Sequence, residues 1–379
     1  MERKKTSRRR PRKTRPSRIL GRMRPSNAIV FGGYGVFGSL VSRELARLGM
    51  NVTVAGRDAS RAEAFAAELG AGHSGLRADV TARGACRDAI AGQRVAVSCA
   101  GPFNELGETL LEACLESGVH YADIADDRGY ARLVRGYGER FAAKGLAAVY
   151  GCSSLPGISG ALALAANAGH AAAPKRARVT LFIGNDNPKG EAAVASALAL
   201  VGRAFVAPQG TMIGFRDPES VELPPPFGRR TVYNFESPDY DLFGELLGVS
   251  SVSVKVGFEM RIATATFAIL ARRSGGYGPR TARLLNSVGR IGRSFGGHSG
   301  GTVMSELFFA DGTTRSASIS SARDAQRMAA LPCALVANAL CRTEAARCGA
   351  LTAYELLGAD ELLDGLTREG FELSRSGDH

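Results

Sequence analysis

The sequence lacks the patterns of several common protein classes. No apolar run reaches the roughly 18 residues that a membrane-spanning helix needs, and no apolar core follows the N-terminal arginines as in a secretory signal. The seven cysteines are scattered and form no C-x-x-C pair, which argues against a disulfide framework or a zinc site. There is no P-loop, no Ser/His/Asp arrangement and no cluster of metal ligands. We therefore expect a cytoplasmic protein with no membrane span and no metal.

Positive charge is abundant but is confined to one end of the chain. The net charge is +12 at pH 7, and residues 1–24 carry twelve lysines or arginines against Glu2, so the remainder is nearly neutral. A block of like charges with few apolar residues repels itself, and residues 1–24 are predicted to form a disordered basic tail. The neutral remainder argues against a specific nucleic-acid partner. An alternative start of translation at Met23 would remove most of this tail.

Regular alternation of strands and helices predicts the fold of residues 25–173. Six short apolar strands are separated by helices, from the first strand at 28–31 to the sixth at 146–150. Each crossover of this length joins parallel strands, and helices then cover both faces of the sheet. The pattern predicts an α/β domain with a doubly wound parallel Rossmann sheet.

The pattern changes after Pro156. Apolar residues alternate with period two near 179–183 and 252–256, and Asp311-Gly312 is a turn pair typical of hairpins. We interpret residues 174–322 as an α+β domain on a mixed or antiparallel sheet, serving the substrate or dimerisation. Residues 323–379 are predicted to be C-terminal helices that return to the Rossmann domain. A homodimer is an open alternative to a monomer.

A glycine-rich turn between the first strand and the first helix has the G-x-G-x-x-G spacing of dinucleotide-binding proteins. It consists of Gly33, Tyr34, Gly35, Val36, Phe37 and Gly38. The first glycine permits the tight turn, the second lets the backbone approach a pyrophosphate, and the third lets the helix pack closely on the sheet. The amide hydrogens that open the helix carry partial positive charge, which favours phosphate.

The end of the second strand distinguishes NADP from NAD. An acidic residue there binds the ribose hydroxyls of NAD, whereas an arginine accommodates the 2′-phosphate of NADP. Arg57 directly follows this strand, and Arg61 lies one helical turn later. Asp58 is the one acidic neighbour, and it is equally suited to cap the next helix. We therefore predict NADP as the cofactor rather than NAD.

Further cofactor contacts are expected where other strands end, because ligands of this fold lie beyond the carboxyl ends of the strands. Asp79, near the end of the third predicted strand, is one such expected contact. After the fourth strand, the turn expected beside the nicotinamide comprises Ala100, Gly101, Pro102 and Phe103. Phe103 is a candidate wall for the nicotinamide ring, with a core aromatic as the alternative.

These motifs together resemble the saccharopine dehydrogenase family of NADP-dependent oxidoreductases. The resemblance covers residues 27 to about 165 and rests on the segments 32–38, 52–57, 100–103, 112–114, 118–123 and 155–160. It implies hydride transfer between NADP(H) and a C=N or C=C bond of a small metabolite. The family also includes a trans-acting enoyl reductase of polyketide lipids, so the resemblance does not imply saccharopine as substrate. A non-catalytic NADP(H)-sensing protein is the alternative.

Candidates for the proton donor follow the fifth strand. The family's tyrosine and acidic residues map onto Tyr121, Asp123 and Asp126, but Asp126-Asp127 stands where family members often carry Gly-Glu. Two neighbouring carboxyls can raise the pKa of one, which would suit Asp126 or Asp127 as a general acid. Asp127 is alternatively a helix cap. Cys152 is a further candidate.

Two segments of the second domain are candidate substrate contacts. Arg229-Arg230 could bind a substrate carboxylate, although a solvated pair is the simpler interpretation. Residues 274–302 contain nine glycines, four arginines and His298. This segment is either a lid over an anionic substrate or a surface loop.

Overall fold

A computed structural model describes residues 27–188, 190–259, 261–272, 277, 297–342 and 347–376. The predicted basic tail over 1–24 lies outside the described residues, as do residues 274–276 and 278–296 of the glycine-rich segment over 274–302. Within the described ranges, no helix is both long and apolar enough to cross a membrane.

The first sheet contains seven strands, all parallel to their neighbours. Six come from the N-terminal part of the chain: β1 (Asn27–Phe31), β2 (Asn51–Gly56), β3 (Ser74–Arg77), β4 (Val95–Ser98), β5 (His120–Asp123) and β6 (Ala147–Tyr150). Their order is β6-β5-β4-β1-β2-β3, and a seventh strand from the C-terminal segment pairs with β6. Every residue of β4, β5 and β6 is buried, as expected for strands covered on both faces. The predicted doubly wound Rossmann sheet is confirmed.

Six helices connect these strands: α1 (Val36–Arg47), α2 (Ala59–Leu69), α3 (Arg83–Ile90), α4 (Thr109–Ser117), α5 (Arg128–Gly136) and α6 (Gly138–Ala143). Helix α1 begins directly at the glycine turn after β1. Helix α5 begins where β5 and a short loop end, so the start of α5 lies at the carboxyl edge of the sheet.

The second sheet is mixed, as predicted, and also has seven strands. Helix α7 (Ser159–Asn167) leads to its central strand β7 (Arg176–Ile183), which pairs in parallel with β12 (Ser251–Phe258) and antiparallel with β13 (Gly301–Phe308). The predicted hairpin at Asp311-Gly312 joins β13 to β14. The remaining elements are α8 (Glu191–Leu200), β8 (Ala204–Ala207), β9 (Gly210–Ile213), β10 (Glu219–Leu223), β11 (Gly228–Asn234), α9 (Asp239–Leu247), α10 (Arg261–Leu270) and β14 (Thr314–Ser321).

The C-terminal segment connects both sheets and is not purely helical, which corrects the sequence-based expectation. Its helices are α11 (Ala325–Arg342), α12 (Ala353–Leu357) and α13 (Ala359–Arg368). Strand β15 (Gly349–Thr352) joins the edge of the first sheet, and β16 (Glu372–Ser376) joins the edge of the second. Strands of four or five residues carry little periodic signal, so the sheet edges determine their conformation.

Candidate functional site

The glycine turn leaves room for a ligand at the start of α1. Gly35 is the N-cap of this helix and offers no side chain to the first amide hydrogens, which have no partner within the helix. The turn itself is tight, because the Gly35 amide donates to the Gly32 carbonyl oxygen at 2.8 Å. A Cβ added to Gly38 would lie 2.0 Å from that oxygen, so only glycine fits there. Exposed amides on a closely packed turn fit a pyrophosphate.

Two arginines stand beside this turn at the end of β2. Arg57 and Arg61 are both exposed, and the Arg61 guanidinium lies 4.6 Å from the centre of the Tyr34 ring. The Tyr34 hydroxyl accepts a hydrogen bond from the Asp58 amide at 3.0 Å, which fixes the ring against the strand end. A Cβ on Gly56 would lie 2.3 Å from this ring. The position of Gly56 is therefore part of the site, a role that the sequence analysis missed.

The acidic residues near these arginines have local structural partners. Asp58 caps α2, since its Oδ1 accepts from the Arg61 amide at 3.1 Å. Asp79 follows β3 and accepts from both the amide and the hydroxyl of Thr81, and these bonds, with a smaller effect of Arg57, lower its pKa. Asp58, the carboxylate that would bind the ribose in an NAD site, therefore caps a helix instead. Arg57 and Arg61 remain exposed, which fits a 2′-phosphate.

A cavity of about 480 Å³ opens at the carboxyl ends of β4, β5 and β6. From the Rossmann domain, its wall includes six residues predicted from the sequence: Phe37, Gly101, Pro102, Phe103, Asp126 and Asp127. From the second domain, the wall includes Ser196, Ala197, Leu200, Arg203, Phe235 and Glu236. The same space is therefore bounded by the nucleotide-binding edge and by the second domain, which is the arrangement of a substrate site.

Asp126 is the candidate proton donor that the structure brings to the cavity. Asp126 is exposed at the cavity wall, and its protein surroundings together with the charge of Asp127 raise the pKa of its carboxyl to about 6. Asp127 caps α5, because its Oδ1 accepts from the Tyr130 amide at 2.7 Å. An acid with a pKa near 6 can exchange a proton at neutral pH.

Other sequence-based candidates lie away from the cavity. Tyr121 is fully buried and its hydroxyl is hydrogen-bonded to Tyr130, so it does not reach a ligand directly. Cys152 is fully buried, its thiol donates to a backbone carbonyl, and burial raises its pKa well above the usual range. Arg229 pairs with Glu222 on the β10–β11 hairpin, and Arg230 lies over a ring of the second sheet. These three proposals are not supported.

The structure adds charged residues that the sequence analysis missed. Arg128 is nearly buried, donates to the Val206 carbonyl oxygen at 2.5 Å, and forms an ion pair with Asp241. Arg132 holds the same carboxylate with two hydrogen bonds of 2.6 and 2.8 Å. Burial raises the pKa of Glu236, while nearby Arg203 and Arg128 oppose the shift. Of these residues, only Arg128 could have been found from the sequence, because it directly follows the Asp126-Asp127 pair.

The fold and the glycine turn are those of a dinucleotide-binding protein, and the cavity at the carboxyl edge of its sheet is lined by residues of both domains. Residues 29–149 match the family model described as the saccharopine dehydrogenase NADP binding domain, so the N-terminal domain is similar to the NADP-binding domain of that family. The resemblance inferred from the motifs and the prediction of NADP are both confirmed by this match.

Individual relatives agree with this assignment. Saccharopine dehydrogenase-like oxidoreductases of Homo sapiens and Pongo abelii are each 30% identical to this chain over 141 residues. The match covers 32% of this chain and 33% of each relative, so it spans about one third of those proteins. The apo saccharopine dehydrogenase (L-Glu forming) of Saccharomyces cerevisiae has a TM-score of 0.63 at 13% identity, over 93% of this chain and 100% of that one. This last likeness shows that the fold extends over both domains.

Proposed function

We propose that the protein is an NADP-dependent oxidoreductase that acts on a C=N or C=C bond of a small metabolite. The observation that carries this proposal is the cavity in which Asp126 stands between the Gly101–Phe103 turn and the second domain. When bound, the cofactor supplies or accepts the hydride. The chain binds and orients both reactants and exchanges the proton.

Each group of residues has one task in this proposal. The amides of 33–38 bind the pyrophosphate, and Arg57 with Arg61 binds the 2′-phosphate. The Gly101–Phe103 turn, in which Phe103 begins a short 3₁₀ segment, forms the wall for the nicotinamide. Asp126 donates a proton to the substrate atom next to the one that receives hydride. Asp127 fixes the start of α5, and its charge keeps Asp126 protonated to higher pH.

A trans-acting enoyl reductase is the second candidate function. The cavity wall has apolar side chains from both domains: Ala197 and Leu200 of α8 and Phe235 after β11, with Leu106 and Leu133 from the Rossmann domain. Such a wall suits an acyl or alkyl substituent, because burial of each methylene contributes about 0.8 kcal/mol. The reaction partner would then be a C=C bond beside a carbonyl group.

The test is NADPH consumption, followed at 340 nm with the full chain and a panel of cyclic imines and enoyl thioesters. Asp126→Asn is expected to lower turnover about 100-fold or more without changing NADPH affinity. Asp88→Asn, on an exposed part of α3, is the matched control and should leave turnover unchanged. Tight NADPH binding without turnover of any panel member would favour the sensing alternative. Absence of NADPH binding would refute the proposal.

A further inference from the structure

The Tyr34 ring fills the space between the glycine turn and the end of β2. Tyr34 is the second residue of the turn over 33–38, and Gly56 is the last residue of β2. A Cβ added to Gly56 would lie 2.3 Å from Cε1 of Tyr34 and 2.6 Å from both its Cζ and its hydroxyl oxygen. The ring therefore takes up the volume that a side chain at position 56 would need, and it lies directly on the backbone of the strand.

Hydrogen bonds fix the outer end of this ring. The Tyr34 hydroxyl oxygen accepts from the Asp58 amide at 3.0 Å. Asp58 also caps α2, because its Oδ1 accepts from the Arg61 amide at 3.1 Å. One short segment thus joins the ring, the end of β2 and the first turn of α2, so the ring has a defined position relative to Arg61.

The Arg61 guanidinium lies over the face of this ring. Its central carbon is 4.6 Å from the ring centre, which is within the range of a cation–π contact. Arg61 is exposed, and within the described ranges it takes part in no ion pair. The ring attracts the cation without supplying an oxygen acceptor, so the guanidinium keeps N–H groups for an anionic ligand.

The contact with Tyr34 restricts where the Arg61 guanidinium can lie. A free arginine side chain loses rotamer freedom when it binds a phosphate, and this loss weakens binding. Because Tyr34 already holds the guanidinium beside the end of β2, less freedom remains to be lost when a ligand arrives. The end of this strand is the place where the 2′-phosphate of NADP is expected.

We propose that Tyr34 determines specificity for NADP by holding the Arg61 guanidinium at the end of β2, where it pairs with the 2′-phosphate. Tyr34 is a positioning residue, since it acts through Arg61, and this inference rests on the proposed function of Arg57 and Arg61 as the 2′-phosphate site. The glycine pattern leaves the residue type at position 34 open, so the role belongs to this side chain and not to the turn. NADH lacks the 2′-phosphate, and its binding should not depend on the contact.

The test measures the dissociation constants of NADPH and NADH by calorimetry with the full chain. Tyr34→Leu keeps an apolar side chain beside Gly56 but removes the aromatic face. It should lower NADPH affinity about 2- to 5-fold, the effect of one exposed cation–π contact, and leave NADH affinity unchanged. Tyr34→Phe keeps the face and should retain the NADPH preference of the parent. Phe65→Leu is the matched control, because it removes another cation–π contact of the same domain, in which Arg43 lies 4.8 Å from the ring centre. It should leave both constants unchanged.

A double-mutant cycle separates positioning from a general effect on the turn. If Tyr34 acts through Arg61, then Arg61→Ala should lower NADPH affinity, and adding Tyr34→Leu should cause no further loss. Gly56→Ala should also lower NADPH affinity selectively, because its methyl group displaces the ring. Should Tyr34→Leu fail to fold, Gly56→Ala takes its place in the cycle.

Three results would overturn the inference: equal losses for both nucleotides in Tyr34→Leu, an unchanged NADPH affinity in that variant, or an undiminished loss in the Arg61→Ala background. NADPH binding without turnover would contradict the proposed oxidoreductase activity and leave this inference standing. Absence of NADPH binding by the parent protein would refute both.

Discussion

A buried carboxyl at the start of α9 makes the stability of the protein depend on pH. Asp239 is fully buried, and its two oxygens accept hydrogen bonds from the hydroxyls of Ser159, at 2.5 Å, and Ser237. Burial raises the pKa of Asp239 from 3.8 to about 6, although both hydroxyls oppose the shift. Among the described residues, these two hydroxyls are the side chains that donate hydrogen bonds to Asp239, so the negative charge of an ionised Asp239 is poorly stabilised.

The size and sign of the effect follow from the pKa change. The folded state binds the Asp239 proton more tightly than the unfolded state does. At pH values below the unfolded pKa of 3.8, Asp239 therefore does not lower the free energy of unfolding. Stability is lost as the pH rises from there through about 6. The difference of about two units corresponds to about 3 kcal/mol at pH 8, at 1.36 kcal/mol per unit, and to about half of that at pH 5.

Asp239→Asn should remove this loss, since an amide has no charge and can still bond both hydroxyls. We expect the variant to gain about 3 kcal/mol over the parent in free energy of unfolding at pH 8, and about half of that gain at pH 5. Urea denaturation followed by circular dichroism measures both values. Asp360→Asn, at an exposed position of α13, is the control and should change stability by less than about 0.5 kcal/mol. A gain independent of pH would refute the reasoning.

Three further predictions concern the cofactor site and the attachment of the C-terminal segment. Arg57→Ala should weaken NADPH binding about 10- to 150-fold and leave NADH binding nearly unchanged in calorimetry; equal losses would contradict the 2′-phosphate assignment. Gly38→Ala should abolish NADPH binding because its Cβ overlaps the turn, whereas Gly84→Ala, with open space around it, should not. Arg327→Ala should lower the free energy of unfolding, measured by urea denaturation, by about 1–3 kcal/mol, because the largely buried Glu44 of α1 loses one of its partners. The control Arg368→Ala removes an exposed ion pair and should lower it by less than about 1 kcal/mol.

The features that the sequence predicted well depend on neighbouring residues in the chain. The turn at 33–38 and its position between β1 and α1 follow from local spacing, and the glycine pattern specifies the backbone approach directly. Arg57 is equally local, because it directly follows a strand. The alternative role of Asp58 as a helix cap was also visible in the sequence, and the structure has this hydrogen bond.

The features that were missed depend on contacts between distant segments. Glu236 and Arg203 reach the cavity only because the second sheet docks on the Rossmann domain, and no local pattern marked either residue. Strand β15 exists because β6 leaves an edge to pair with, and its four residues have no periodicity of their own. Tyr121 shows the opposite error, since a residue type suited to catalysis is fully buried within β5, three positions before the loop that lines the cavity.

The position of Asp126 depends on the contact between the two domains. Arg128 opens α5 two residues later, and its guanidinium is held by the Val206 carbonyl oxygen and by Asp241 of α9. Arg132 and Arg135, one and two turns further on, pair with Asp241 and Glu245 of the same helix. Three arginines on one face of α5 thus fasten it to α9. Since Arg128 is the member that is nearly buried, its ion pair resists solvent screening more than the others. The start of α5, and with it the proposed proton donor, is therefore fixed by the second domain before any ligand enters the cavity.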